Sequence, residues 1–554
     1  MAVVVTSDLQ GTIVGVFVDA GSIVRAGQVV ALVESMKMHH EVLSPSDGVV
    51  DAVMIADGDT IVAGQSLLEV DERAVAEPDL AEHPAATSAP VGLERDDLRE
   101  VINRHALGLD ASRPDAVARR RAKGRRTARE NLADLVDVDT FVEYGPLVIA
   151  AQRRRRTVDD LMVSTPADGL VGGVGDVNGA LFGDSSRSAK CVIVSYDYTV
   201  LAGTQGTQNH RKKDRLFEVA EQLRLPIVFF TEGGGGRAGD TDGLGVSGLD
   251  CLAFRWFAEL SGTVPLVGIA SGYCFAGNAA ILGCCDVVIA TEDSNIGMGG
   301  PAMIEGGGLG VFAPTAIGPI EVQRANGVVD VVVADEAEAV ATAKQYVGYF
   351  QGRTAEWAAP DQERLRDVVP VDRLRAYDIR AVVDGLFDED SVLELRREFG
   401  IGMLTALARI EGRAVGVVAN DPGHLAGAID SDGADKAARF MQLCDAFGLP
   451  IVTLVDTPGM MVGPDVEATA LVRHCSRLFV VGANLSVPMV SIVTRKSYGL
   501  GAQAMMGGTT KAPLACLAWP TGEFGGMGLE GAVRLGYRKE LEAVTDDAER
   551  EVLF

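Results

Sequence analysis

The chain has 554 residues, 47% of them hydrophobic, with 65 glycines and a formal net charge of −27. That length is a soft prior for three or four domains, and the glycine content implies a turn-rich protein with buried cores. The acidity argues against nucleic acid or an anionic membrane surface as the main partner.

No apolar run approaches the roughly 18 residues that mark a membrane-spanning helix. The start, MAVVVTSDLQG, lacks the basic opening and long apolar stretch of a signal peptide. Eight cysteines without framework spacing, among them adjacent Cys284 and Cys285 in an apolar run, predict reduced, buried thiols and a cytoplasmic protein.

From the N-terminus, residues 11–33 (GTIVGVFVDAGSIVRAGQVVALV) recur as residues 48–70 (GVVDAVMIADGDTIVAGQSLLEV), 37 positions on. Identities fall at Gly11/Gly48, Val16/Val53, Gly21/Gly58, Ala26/Ala63, Gly27/Gly64, Gln28/Gln65 and Val33/Val70. Each copy holds two short runs rich in β-branched residues around a glycine turn, which is strand chemistry. Two such halves predict a small all-β sandwich over residues 1–71. The segment ESMKMHHEVLSPSD joins the copies, so Lys37 falls near a hairpin turn. A solvated hairpin lysine is the plain reading of that residue. Neighbouring His39 and His40 face opposite sides of a strand and find no second ligand pair at zinc spacing, so no metal site is expected. Residues 72–94, rich in Ala, Pro and acidic side chains, predict a flexible linker. A strongly charged helical segment follows from Asp96 to about Val136.

A second repeat has a far longer period. RLFEVAEQLRLPIVFFTEGGG, from Arg215, matches RFMQLCDAFGLPIVTLVDTPG, from Arg439, 224 positions on. TVPLVGIASGYCFAG, from Thr263, matches SVPMVSIVTRKSYG, from Ser486, 223 positions on. The shared pattern is an amphipathic helix, a Leu-Pro break, a continuous apolar strand and a glycine loop, which implies an α/β fold built twice. The two domains are expected at residues 95–345 and 346–554. Gly233 to Gly236 are followed by no lysine, and the chain contains no Gly-Lys dipeptide, so a phosphate-binding loop of the GxxxxGK[ST] type is excluded. A tight strand exit explains those glycines more simply.

Two turns stand at matching repeat positions: Cys274-Phe275-Ala276-Gly277-Asn278 and Ser497-Tyr498-Gly499-Leu500-Gly501-Ala502. Each follows an apolar strand and precedes a helix-compatible run. Free N–H groups at a helix start attract anions, and aimed at a carbonyl oxygen that becomes an enolate they form an oxyanion hole. Packing glycines would explain either turn alone, but explain two matching ones less well.

Glu34-Ser35-Met36-Lys37-Met38, at the midpoint of the β repeat, resembles the modified site of the biotinyl/lipoyl carrier domain. The resemblance implies biotin attached covalently to Lys37, flanked by Met36 and Met38, with a biotin protein ligase as partner. Residues from about 95 to 554 resemble the carboxyltransferase subunit of biotin-dependent acyl-CoA carboxylases, a tandem crotonase fold. The stretches that carry it are KGRRTARENLADLVD, DGLVGGVGDVNG, SGYCFAGNAAILGCCDVVIA, AIDSDGADKAARFMQLCDAFGLPIVTLVDTPGMMVGP, TRKSYGLGAQAM and WPTGEFGGMGLEGA. The expected fold is therefore an all-β biotinyl/lipoyl-type sandwich followed by α/β tandem crotonase-fold carboxyltransferase domains.

By that resemblance, Ala276 and Gly277 hold the acyl-CoA thioester oxygen, and the biotin urea oxygen falls among Gly499, Gly501 and Ala502. The second motif departs from the commoner Tyr-Gly-Gly-Ala through Leu500, which leaves open which amides form that hole. Asn278, Gln503 and Ala504 are expected near the acyl group. Arg153 to Arg156, with the run Arg119-Arg120-Arg121, Lys123, Arg125 and Arg126, form either a solvated surface or a contact to the phosphates of coenzyme A. The implied reaction moves CO₂ from biotin to the α carbon of an acyl-CoA, with biotin itself as base. His210, His424 and His474 are then structural or surface groups. The resemblance also implies a separate ATP-dependent biotin carboxylase chain and a hexameric ring of dimers. A decarboxylase or transcarboxylase running the half-reaction in reverse, or an inactive biotinylated scaffold, are the alternatives. The acyl chain is not specified.

Overall fold

The glycine spacing of the first repeat is built twice in a computed structural model of the chain, which describes residues 2–73, 95–182, 189–242 and 250–554. One four-stranded sheet orders Ala2–Thr6, Ser66–Glu72, Gly48–Val53 and Ile23–Val24, and the other orders Met38–Leu43, Val29–Ser35, Gly11–Val16 and Thr60–Ile61. Each strand of one sheet has its repeat mate in the other. Gly21 and Gly58 share φ values of 95° and 91°, and Gly27 and Gly64 share 82° and 83°. A β-carbon on Gly11 would lie 2.3 Å from the Glu34 carbonyl oxygen, and one on Gly48 would lie 2.5 Å from that of Asp71. The repeated glycines are therefore fixed by backbone conformation and close approach. Val5, Val24, Val30, Val50, Leu68 and Val70 form one apolar cluster and Ile13, Ala31, Val33, Ile61 and Leu67 another. The expected linker lies outside the described residues from position 74 onward.

The chain divides into two compact units, residues 1–101 and 102–554. The charged segment after Asp96 forms the helices Asp96–Ala106, Pro114–Arg121 and Ala128–Leu135. A capping box between Thr127 and Glu130 starts the last of them. The long repeat then gives two mainly parallel sheets. Strand pairing fixes the correspondence residue by residue. Val192 pairs with Ile227 and Ile227 with Leu266 in the first; Gly416 pairs with Ile451 and Ile451 with Met489 in the second. Even the irregular backbone recurs, since Ala202 and Ala426 both have φ of 55°.

Buried lysines stand at equivalent places on two helices, each bonded to a backbone carbonyl. Lys212, on helix Thr207–Leu223, donates to the Leu170 carbonyl, and Lys436, on helix Ser431–Ala446, donates to the Arg396 carbonyl at 2.7 Å. Burial lowers these ammonium groups to about 8 and about 7.

The expected boundary at 345/346 falls inside the helix Glu336–Gly348. Tyr346 and Val347 of that helix are fully buried in an apolar cluster that holds Ile193 and Val267 of the first repeat together with Met403 and Met441 of the second. The repeats share a core, which composition alone does not reveal.

Candidate active site

Lys37 sits at the tip of the hairpin formed by Val29–Ser35 and Met38–Leu43. Ser35 pairs with Met38, so the loop is Met36-Lys37, and both residues are left-handed, with φ of 52° and 64°. That is the geometry of a two-residue type I′ turn, which normally selects Asn-Gly. Two non-glycine residues there cost on the order of 1–3 kcal/mol each. The conformation holds the Lys37 side chain out in solvent, and Met36 and Met38 are 95% and 65% exposed. An exposed amine at the tip of a two-residue hairpin fits covalent attachment of biotin.

In the larger unit the two expected turns stand at equivalent positions. Ala276 caps the helix Gly277–Gly283 with φ of 53°, and Gly499, 223 residues on, opens the helix Gly499–Met505 with φ of 57°. The left-handed residue therefore equates Gly277 with Leu500 and Asn278 with Gly501. The Leu500 departure costs no register.

Behind each turn lies the glycine loop of the same repeat. A β-carbon on Gly235 would sit 2.6 Å from the Ala276 β-carbon, and one on Gly501 would sit 2.6 Å from the Gly459 carbonyl carbon. Gly235 and Gly459 are repeat equivalents, with φ of 86° and 129°. The residues that follow them, Gly236 and Met460, form isolated bridges with Gln205 and Ile429, again 224 apart. Among the described residues, the amides of Gly236, Gly277, Met460 and Leu500 have no hydrogen-bond acceptor. The strand exit at Gly233 to Gly236, read from sequence as simple close packing, thus also brings an unpaired N–H up to the turn. Matching the four glycines to Thr457-Pro458-Gly459-Met460 at the repeat spacing would have pointed to it.

Three expectations need correction. The Ala276 N–H donates to the Gly297 carbonyl at 3.0 Å, because the preceding strand Tyr273–Phe275 pairs with Asn295–Gly297; of the expected first pair only the Gly277 amide is open. Asn278 is fully buried under the turn and cannot face a substrate. Ala504 is also fully buried, packed in the shared core, while Gln503 on the same helix is exposed. Gly501 and Ala502 are buried in the first turn of that helix.

The basic runs are largely committed to acids. Arg120 is buried against Glu232 at 2.5 Å, Arg125 pairs with Asp293, and Arg126 pairs with Asp134. Arg153 pairs with Asp242 and Arg156 with Asp160, whereas Arg154 and Arg155 are exposed. Glu232 and its repeat equivalent Asp456 are both buried beside the turns; Asp456 is held by Arg495 at 3.1 Å and Lys496 at 2.9 Å. Burial raises Glu232 against the pull of Arg120. His210 shares a contact of 3.1 Å with Cys251, and burial lowers its imidazole to about 3, so it stays neutral. No group of three or more His, Cys, Asp or Glu side chains arranged for a metal ion occurs among the described residues, nor any helix long and apolar enough to cross a membrane.

Residues 119–552 match the carboxyl transferase domain family, and residues 3–70 match the biotin-requiring enzyme family. The methylmalonyl-CoA carboxyltransferase 12S subunit of Propionibacterium freudenreichii subsp. shermanii is 33% identical over 446 residues, which cover 78% of this chain and 81% of that one. A solved 12S transcarboxylase, whose hexamer assembly is described with methylmalonyl-coenzyme A bound, superposes with a TM-score of 0.70 at 29% identity, covering 85% of this chain and 89% of that one. A single-chain, multi-domain long-chain acyl-CoA carboxylase superposes with a TM-score of 0.80 at 53% identity over 100% of this chain; the chain spans about half of that enzyme, 52% of its length. A biotinyl hairpin, duplicated turns with open amides and these matches lead to one assignment: the chain belongs to the biotin-dependent carboxyl transferase family, as the carboxyltransferase of an acyl-CoA carboxylase carrying its own biotin domain.

Proposed function

We propose that the chain transfers a carboxyl group to the α carbon of a long-chain acyl-CoA, served by an ATP-dependent biotin carboxylase on another chain and by a biotin protein ligase acting on Lys37. The observation that carries this reading is the paired construction of the turns, each with an open amide at the helix start and a second from the glycine loop behind it. At the first turn the amides of Gly277 and Gly236 hold the thioester oxygen as it gains charge. At the second, the amides of Leu500 and Met460, flanked by Gly499, Gly501 and Ala502, hold the urea oxygen. When attached, biotin supplies the carboxyl group and, once relieved of it, the base for the α-proton. The chain then needs no side-chain base, in keeping with a neutral, buried His210. Loss of one such donor costs about 10²–10³ in kcat. Exposed Arg154 and Arg155 are the arginines available to coenzyme A phosphates.

The long-chain preference rests on the 53% identity to the single-chain enzyme, and hexamer formation on the 12S structure. The test is reconstitution of the biotinylated chain with a biotin carboxylase, ATP, bicarbonate and a panel of acetyl-, propionyl- and palmitoyl-CoA. Carboxylation of palmitoyl-CoA ahead of the short chains is expected. No ATP-dependent product with any of them, together with decarboxylation of a malonyl-type thioester by the same protein, would establish the reverse reaction instead.

A further inference from the structure

The two repeats build one turn twice, but the first is backed by a buried polar chain, starting at Lys213, that the second does not repeat. Lys213 is fully buried on the helix Thr207–Leu223. Its ammonium donates to the Tyr196 hydroxyl at 2.8 Å and to Gln205 Oε1 at 3.2 Å, and lies 5.2 Å from the Tyr196 ring centre. Gln205 Nε2 donates to Asn278 Oδ1 at 3.1 Å, which also accepts the Gly235 N–H at 3.0 Å. Asn278 Nδ2 donates to the Thr231 carbonyl at 3.1 Å and the Gly203 carbonyl at 3.3 Å. A β-carbon on Gly277 would meet Gln205 Nε2 at 3.1 Å, so the glutamine amide lies directly against the turn. Asp168, Asp214 and Cys251 face Lys213 from farther away, and no carboxylate lies within ion-pair distance of it among the described residues.

The second repeat is an internal control for what the fold requires. Register equates Lys213 with Ala437, Tyr196 with Asn420, Gln205 with Ile429 and Asn278 with Gly501. The same helix packs on the same strands there with an alanine in place of the cation. Lys212 differs, because its equivalent is Lys436 and both donate to a backbone carbonyl, that of Leu170 at the start of one strand and that of Arg396 just after the end of another. The second repeat keeps that lysine and has no counterpart of Lys213. Burying an ammonium without a carboxylate is costly, and burial lowers Lys213 to about 7. An anion forming at the turn would favour its charged form.

We propose that Lys213 is a positioning residue for the first turn. Acting through Gln205 and through Asn278, which accepts the Gly235 N–H, it fixes the Gly235 loop against Gly277 and with it the direction of the neighbouring Gly236 and Gly277 amides. The inference rests on the proposed reaction.

The test is Lys213→Met in the full chain, with Gln205→Met as a second variant that breaks the chain while leaving Lys213 bonded to Tyr196. Forward turnover is measured with palmitoyl-CoA and an added biotin carboxylase. Binding is measured by calorimetry on protein without biotin, using palmitoyl-CoA and a coenzyme A conjugate bearing a nitronate in place of the thioester enolate. The expected result is an about tenfold fall in kcat with KM within twofold, and about tenfold weaker binding of the nitronate with palmitoyl-CoA binding unchanged. A kcat within twofold of wild type, or equal weakening of both ligands, overturns the inference. Failure of both variants to fold also overturns it, since the chain would then be a requirement of the fold. A wild-type protein that transfers no carboxyl group instead refutes the proposed function, a separate outcome.

Discussion

Gly501→Ala tests whether the second turn works by fixed backbone geometry. Taken alone, alanine at a helical position is favoured over glycine by about 1 kcal/mol. Here the new methyl would meet the Gly459 backbone at 2.6 Å, with no flexible side chain to give way. Ordinary contact for such a carbon begins near 3.4 Å, so the turn and the glycine loop must separate by close to 1 Å. Overpacking of this kind costs about 1–3 kcal/mol, so the net loss of stability is about 0–2 kcal/mol. Function is more sensitive, because a displacement of about 1 Å at a reacting centre can cost about 10²-fold. Carboxyl transfer should fall about 10²-fold in kcat while the protein stays folded. Gly283→Ala is the control: it lies at the end of the first-turn helix, its added methyl meets nothing within 4 Å, and it should keep full activity. Thermal melts together with steady-state transfer assays read both quantities. Wild-type activity in folded Gly501→Ala would refute the idea that the opposed loop and turn set the amides.

Lys37→Arg should abolish biotin incorporation, read by streptavidin blot and intact mass, while preserving the hairpin; residual incorporation would relocate the attachment site. Arg154→Ala combined with Arg155→Ala should raise KM for the acyl-CoA several-fold with kcat unchanged, whereas an unchanged KM would assign both to solvated surface. Lys436 is nine-tenths buried or more, and burial lowers it to about 7. The unfolded chain therefore binds more protons between pH 7 and about 10.5. The stability penalty is full below pH 7 and disappears as pH rises toward 10.5, so the Tm of Lys436→Met relative to wild type should fall steadily across that window. A pH-independent difference would show that the ammonium is not held in a desolvated site.

Most of the architecture was legible because glycine and apolar spacing report backbone demands directly. The offset of 37 appears as matched left-handed glycines, and the offsets of 224 and 223 appear as the strand register itself. The turn at Gly277 was legible for the same reason. What sequence could not convey was the direction of individual amides. The Ala276 N–H is spent on Gly297 because of a short strand pairing that no periodicity signals, and a left-handed alanine leaves no trace in composition. The Gly236 donor comes from a loop some 40 residues upstream of the turn, where four glycines read equally well as close packing. Asn278 and Ala504 were misplaced for a simpler reason. Standing next to a turn glycine on a helix does not say which side of that helix a residue occupies, and both point inward.

The helix Glu336–Gly348 carries a consequence for how the protein comes apart. Tyr346 and Val347 are inserted into a core that belongs to both repeats, so melting either one opens that interior in the other, although each also holds an apolar cluster of its own. The duplicated halves are coupled into one cooperative block, and a chain cut between them would expose the same apolar seam on both fragments. The biotinyl unit encloses cores of its own, so it can unfold and refold while the catalytic block stays intact.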